Sequence, residues 1–81
     1  MVDDRALKEV IVEFIGWNTQ KLVLAVKSVD GKLFLDVRKW YFYENAKPSP
    51  TKKGLMIGLS DWNKVIESIK ALILEEYKQA A

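Results

Sequence analysis

The 81-residue chain contains no cysteine and no histidine. That removes disulfides, zinc–thiolate centres, His-ligated haem, cysteine nucleophiles and Ser-His-Asp triads from consideration. Only two prolines and four glycines interrupt it; 49% hydrophobic residues against 30% charged is a globular composition, not a disordered one. Apolar runs last only a few residues, too short to span a bilayer, and the Asp-containing start does not resemble a signal peptide. The absence of cysteine fits a reducing compartment. A chain of this length buries only about 60–65% of its unfolded surface, and one small core supplies about 3–5 kcal/mol. With no disulfide or metal to add to that, a second copy is the expected source of further stability.

Net charge is only +2, but its distribution is uneven. Residues 1–20 set Asp3, Asp4, Glu9 and Glu13 against Arg5 and Lys8, a balance of −2. Residues 55–81 set Asp61, Glu67, Glu75 and Glu76 against Lys64, Lys70 and Lys78, a balance of −1. Between them, Lys21, Lys27, Lys32, Arg38, Lys39, Lys47, Lys52 and Lys53 face only Asp30, Asp36 and Glu44, a balance of +5. A basic centre of this kind either attracts an anionic partner or solvates a sheet and guards its edges.

Residues 1–8 read as a flexible segment, and residues 9–81 as one domain. β-Branched and aromatic residues predict strands over about 9–17, 21–29 and 32–43, with a short fourth strand over 54–57. Asp30-Gly31 predicts a two-residue type I′ hairpin turn. The polar stretch Glu44 to Lys53, which holds both prolines, predicts a loop. A helix is expected over about 59–78, capped by Gly58 or Ser60 with Asp61 in its first turn. Its stripe of Trp62, Val65, Ile66, Ile69, Leu72, Ile73 and Leu74 is wider than one sheet face requires, which assigns the excess to a partner helix.

Parity along the third strand separates two surfaces. Leu33, Leu35 and Val37 form an apolar face and are expected inward. Lys32, Phe34, Asp36, Arg38 and Trp40 lie on the other, joined across the hairpin by Lys21 and Lys27. Cations beside flat side chains are what single-stranded nucleic acid requires, because phosphates need neutralising and bases need platforms worth about 1–3 kcal/mol each. Trp40 is expected to face water as one platform, with Phe34, Tyr41 and Trp17 as further candidates. Tyr41 falls on the apolar side unless the strand bends or bulges near its end. Asp36 reads as the ion-pair partner that orients Arg38 or a neighbouring lysine, while Asp3/Asp4 and Glu75/Glu76 read as solvated terminal carboxylates. No catalytic constellation, metal site or phosphate-binding glycine loop is present, so neither enzymatic activity nor a cofactor is expected.

In the segments Gly31–Tyr41 (GKLFLDVRKWY) and Lys52–Trp62 (KKGLMIGLSDW), the chain resembles the positive cofactor 4 family of transcriptional coactivators, related in architecture to the plant Whirly proteins. The shared pattern is a Gly-Lys hairpin, an apolar run ending Asp-hydrophobic-Arg followed by aromatics, a basic loop ending Lys-Gly, and a helix with an early tryptophan. The likeness extends over about residues 21–73. It implies an α+β fold: a four-stranded twisted antiparallel sheet followed by one long C-terminal helix, homodimeric through the helices. It places nucleic-acid contacts at Lys32, Arg38, Trp40 or Tyr41, Lys52 and Lys53, ahead of Gly54, and Lys27 joins them on parity. Trp62, Ile66, Ile69 and Ile73 are expected at the dimer interface. Val29 stands where a stacking aromatic often precedes the hairpin glycine, and Thr51 replaces the usual loop glycine. The serine-rich tail of the eukaryotic members is not found, which reads as a minimal bacterial, archaeal or viral version, cytoplasmic or nucleoid-associated, or nuclear if eukaryotic.

The expected function is a homodimeric single-stranded DNA-binding protein with little sequence preference, working with the transcription, replication or repair machinery and not at a membrane. An RNA-binding protein of the same fold and a dimerising protein–protein interaction module are the alternatives.

Overall fold

The computed structural model describes residues 1–80. Four strands, β1 (Lys8–Val12), β2 (Gln20–Val29), β3 (Lys32–Tyr41) and β4 (Ser49–Gly58), form an antiparallel meander in the order β1-β2-β3-β4, and α1 (Leu59–Ala80) follows. The β2–β3 hairpin turns on Asp30 and Gly31 with φ of 51° and 79°, the pair of positive values that a type I′ turn needs. β1 stops at Val12, short of the expected Trp17, because Gly16 (φ 89°) and Asn18 (φ 52°) take the chain out of extended geometry. β4 starts five residues before the expected Gly54, with Pro50 inside it. An edge strand accepts proline where a central strand would lose a ladder hydrogen bond, and β4 is an edge.

Register assigns the faces. Opposite residues in an antiparallel pair project to the same side. Val23 opposes Arg38, Ala25 opposes Asp36 and Lys27 opposes Phe34, while Glu9 and Ile11 lie across from Ala25 and Val23, and Gly54 and Met56 lie across from Arg38 and Asp36. This is the charged face. The other carries Val10, Val12, Leu22, Leu24, Val26, Leu35, Val37, Leu55 and Ile57.

Which face is covered reverses the expectation. The core is Val23, Ala25 and Trp40 on the charged face, with Val2, Ala6 and Phe42 packed against it. Residues 1–7 lie on this face and do not fray. Leu7 N–H extends the ladder by donating to Val26 O (2.7 Å), and Ala6 N–H turns back to Asp3 O (3.0 Å). The aliphatic face is half-buried or exposed along its length, because α1 leaves the sheet after its first turn. Trp62 is the anchor at that point. It is 8% exposed, and its indole N–H donates to Leu35 O at 2.7 Å. Trp62 is therefore largely buried within its own chain. The rest of the helix stripe stays open, with Leu72 63% and Ile73 52% exposed.

Two global quantities follow from this layout. The radius of gyration is 14.9 Å, against about 12 Å for a compact chain of this length. The accessible surface is 6494 Å², against about 5,000 Å² for a compact monomer of this mass. No helix among the described residues is long and apolar enough to cross a membrane.

Trp62→Phe keeps most of the packing and loses the bond to Leu35, so it should cost about 1 kcal/mol. Trp62→Ala should cost about 3–5 kcal/mol through the cavity it opens. Urea unfolding of both variants at matched protein concentration checks the order and the spacing.

Candidate nucleic-acid interface

The charged face is organised around Asp36, which is 3% exposed. A buried carboxylate is tolerable only when paired and hydrogen-bonded. Arg38 supplies the first partner: its Nε lies 3.2 Å from both carboxylate oxygens and its Nη2 3.2 Å from Oδ1. Lys27 adds its ammonium at 3.4 Å. The guanidinium is thereby turned along the sheet, and its Nη1 donates to Thr51 O on β4 at 2.9 Å.

Arg38 can cross β4 only because its neighbour there is glycine. A Cβ built on Gly54 would lie 2.6 Å from Arg38 Cβ and 2.8 Å from its Cα, closer than real atoms approach. The Lys-Gly pair that ends the basic segment thus has a steric cause. Just before it the register slips: Arg38 opposes Gly54, but Trp40 opposes Pro50, so Thr51, Lys52 and Lys53 bulge across from Lys39. Thr51 holds the bulge by donating its hydroxyl to Lys39 O (2.8 Å) and accepting from Lys53 N–H (3.1 Å). A threonine hydroxyl here does locally what a glycine would permit by conformational freedom.

The candidate residues divide by availability. Lys32, Lys52 and Lys53 are exposed and enter no ion pair among the described residues. Arg38 is half-buried, its guanidinium engaged by Asp36 and Thr51. Lys27 is enclosed, bridging Asp36 and Asp3, the latter at 2.6 Å. Trp40, expected in water as a stacking platform, is 6% exposed beneath residues 1–7, and its indole N–H has no hydrogen-bond partner among the described residues. Its parity is as expected; what differs is that the segment before β1 covers this half of the face.

Tyr41 is on the aliphatic side, since the bulge lies in β4 and leaves the β2–β3 register regular. It stacks on Tyr43 with ring centroids 5.3 Å apart and planes 13° from parallel. Beside it Lys39 Nζ sits 4.4 Å from the Trp17 ring centre, and Trp17 packs on Phe14 at 4.5 Å. Ile66, Ile69 and Ile73 are exposed on α1, and Ile66 lines a cleft together with Lys32, Phe34 and Trp62.

Sequence reasoning missed Asp3. Expected as a solvated terminal carboxylate, it is 6% exposed, with Lys27 on one oxygen and the Arg5 N–H on the other at 3.0 Å. Nothing in its local pattern carries this information, because its partner is 24 positions away in the chain. Burial pushes its carboxyl up, but the Lys27 hydrogen bond, the Arg5 N–H and the charges of both residues outweigh that and hold it below the usual aspartate value. Glu9, also unremarked, clamps the same segment: its two carboxylate oxygens accept from Val2 N–H (2.7 Å) and Asp3 N–H (2.8 Å).

Comparisons with known proteins agree with this architecture. A protein-family profile described as Transcriptional Coactivator p15 (PC4) matches residues 17–68. Among solved structures, the chain is similar to one titled "Bacteriophage T5 Homolog of the Eukaryotic Transcription Coactivator PC4 Implicated in Recombination-Dependent DNA Replication", at a TM-score of 0.67 and 18% identity. That alignment covers 88% of this chain and 83% of the phage protein. No curated protein sequence matches the chain.

Gly54→Ala should push Arg38 off its path across β4 and cost about 1–3 kcal/mol, as overpacking does; a thermal melt against wild type reads this. Because the folded Asp3 titrates below its ordinary value, its contribution is complete above that value, about pH 3.9, and is lost as pH falls through the folded one. The stability difference between wild type and Asp3→Asn should accordingly stay constant from neutral pH down to about 4–5 and shrink below that. Urea midpoints of both proteins across that range test it.

Proposed function

Since the chain belongs to the PC4 family of transcriptional coactivators, we propose that it is a homodimeric, non-catalytic protein that binds single-stranded DNA with little sequence preference, in transcription, replication or repair. The observation that carries this reading is the basic and aromatic surface built around Arg38. A buried carboxylate aims the guanidinium, Gly54 lets it cross β4, and Lys32, Lys52 and Lys53 stand exposed beside it. Cations anchored to a sheet match phosphates of a strand in sequence-independent fashion, and Phe34, half-buried between Lys32 and Asp36 on the same face, offers a flat side chain to a base. Tyr41, stacked on Tyr43 at the end of β3, lies on the opposite side of the sheet and is not part of this surface. The phage T5 homologue's implication in recombination-dependent DNA replication favours the replication branch of this reading.

Dimerisation is supported by area. The surface of one chain exceeds that of a compact monomer by about 1,500 Å². A stable interface removes about 800 Å² from each partner, and obligate ones remove more. The open aliphatic face and the exposed Ile66, Ile69 and Ile73 stripe offer apolar surface to a second copy, and covering them would leave Lys52 and Lys53 free.

Light scattering should give twice the 9.3 kDa chain mass. Fluorescence anisotropy with single-stranded DNA, duplex DNA and RNA of matched length, at about 50 and 200 mM salt, should rank single-stranded DNA first and show weakening with salt. Lys52→Ala combined with Lys53→Ala should flatten the log–log salt slope by about 1.4, since each lost phosphate contact on a single strand removes about 0.7. These exposed lysines are a cleaner probe than Arg38→Ala, which would also strip the main partner from buried Asp36. Preference for RNA would move the protein to the RNA-binding reading, and salt-independent or absent binding would favour a protein-interaction module.

A further inference from the structure

We propose that residues 1–7 are an intramolecular competitor of the nucleic-acid backbone, with the Asp3 carboxylate occupying the place of a phosphate between Lys27 and the β3–β4 side of the charged face. This rests on the single-stranded nucleic-acid reading above and adds its regulation: half of the face is closed until a strand displaces the segment.

Charge and geometry carry the inference. Asp3 and Asp36 together neutralise Lys27 and Arg38, so with the segment in place the cluster presents no excess charge. Lifting Asp3 away leaves Lys27 and Arg38 facing Asp36 alone, a surplus of one positive charge. The carboxylate sits 2.6 Å from Lys27 Nζ, the approach of a charge-assisted hydrogen bond and the one a phosphate oxygen would make. Beside the pair a cleft of about 270 Å³ opens between the segment, which contributes Asp3 and Arg5, and the sheet, which contributes Lys27, Asp36, Arg38, Trp40 and the Pro50–Thr51 stretch. On the sheet side its wall includes the cations Lys27 and Arg38, the Asp36 carboxylate between them, and the indole ring whose N–H has no partner among the described residues.

The segment is also held in a way that releases easily. It buries two small side chains, Val2 and Ala6, and its further ties are the Asp3–Lys27 contact, the two N–H bonds to Glu9 and the ladder bond of Leu7. Segments with few apolar contacts open at low cost while the rest stays folded. Displacement would uncover Trp40 together with Lys27, adding one cation and one aromatic platform to the row that Lys32, Phe34 and Arg38 begin. A strand and the segment cannot occupy this half of the face together.

The test uses the full chain and an oligo(dT) probe. Asp3→Asn keeps the size of the side chain and removes its charge; Glu9→Gln weakens the backbone clamp without touching Lys27. Each should bind the probe several-fold more tightly than wild type, and Asp3→Asn should steepen the log–log salt slope by about 0.7, one further phosphate contact. In wild type, saturating oligo(dT) should accelerate tryptic cleavage after Arg5, located by mass spectrometry, because the strand drives the segment off the sheet. If wild type binds and both variants bind with the same affinity and slope, or if oligo(dT) slows cleavage at Arg5, the segment is a structural cover and the inference is wrong while the proposed function stands. If wild type and variants alike fail to bind, both fall. Binding by the variants without binding by wild type would be the strongest form of the expected result.

Discussion

The charged face depends on one buried carboxylate. Asp36 lies in the middle of β3 with almost no access to water, and a lone ionised group there would cost several kcal/mol in lost hydration. Its presence obliges Arg38 and Lys27 to converge on it, and the two-oxygen contact with the Arg38 Nε leaves the guanidinium one direction in which to extend. That direction leads across β4, which admits it because residue 54 has no side chain, and ends on the carbonyl of Thr51. The bulge that carries Lys52 and Lys53 is built at the same place. Pairs of this sort contribute little net stability compared with apolar packing. What Asp36 provides is direction: it sets where a cation on a flat sheet points.

The two sides of the sheet are specialised by what each leaves unfinished. The aliphatic side is an ordinary sheet core in composition, yet the helix that follows β4 touches the sheet only near Trp62 and carries its own apolar stripe away from it. One chain therefore ends with an uncovered face and an uncovered helix, which is why its surface is large for its mass. The charged side is the reverse, polar in composition and yet the better covered, because a seven-residue segment lies over Trp40 and fills the charge of Lys27 with its own carboxylate. An acidic stretch ahead of a basic sheet has only local charge to satisfy, and it finds the nearest cations in the fold.

How much could be read in advance follows from the range of the interactions. The hairpin at Asp30-Gly31, the alternation of Leu33, Leu35 and Val37 against Phe34, Asp36 and Arg38, and the helix after Gly58 all rest on neighbours in sequence and were legible. So was the pairing of Asp36 with Arg38, two residues apart on one strand face. Pro50 was misread because proline marks a loop unless the strand is an edge, and edge position is a property of the sheet. Thr51 and Gly54 were recognisable as a pattern, but their causes, a hydroxyl bond to Lys39 and a clash with Arg38, exist only once β3 and β4 are side by side.

The amino-acid order alone determined the strand parity, the Asp30-Gly31 hairpin, the terminal helix and which residues of a strand share a face, since backbone geometry alternates side chains with a period of two wherever a strand forms; the four-stranded antiparallel sheet followed from the resemblance, and its meander order is a property of the fold. The tertiary structure decided which face is covered, that Trp40 is enclosed and not available to a base, and that Asp3 and Lys27 meet. Those outcomes turn on segments far apart in the chain competing for the same surface, and no local pattern encodes which of them arrives there.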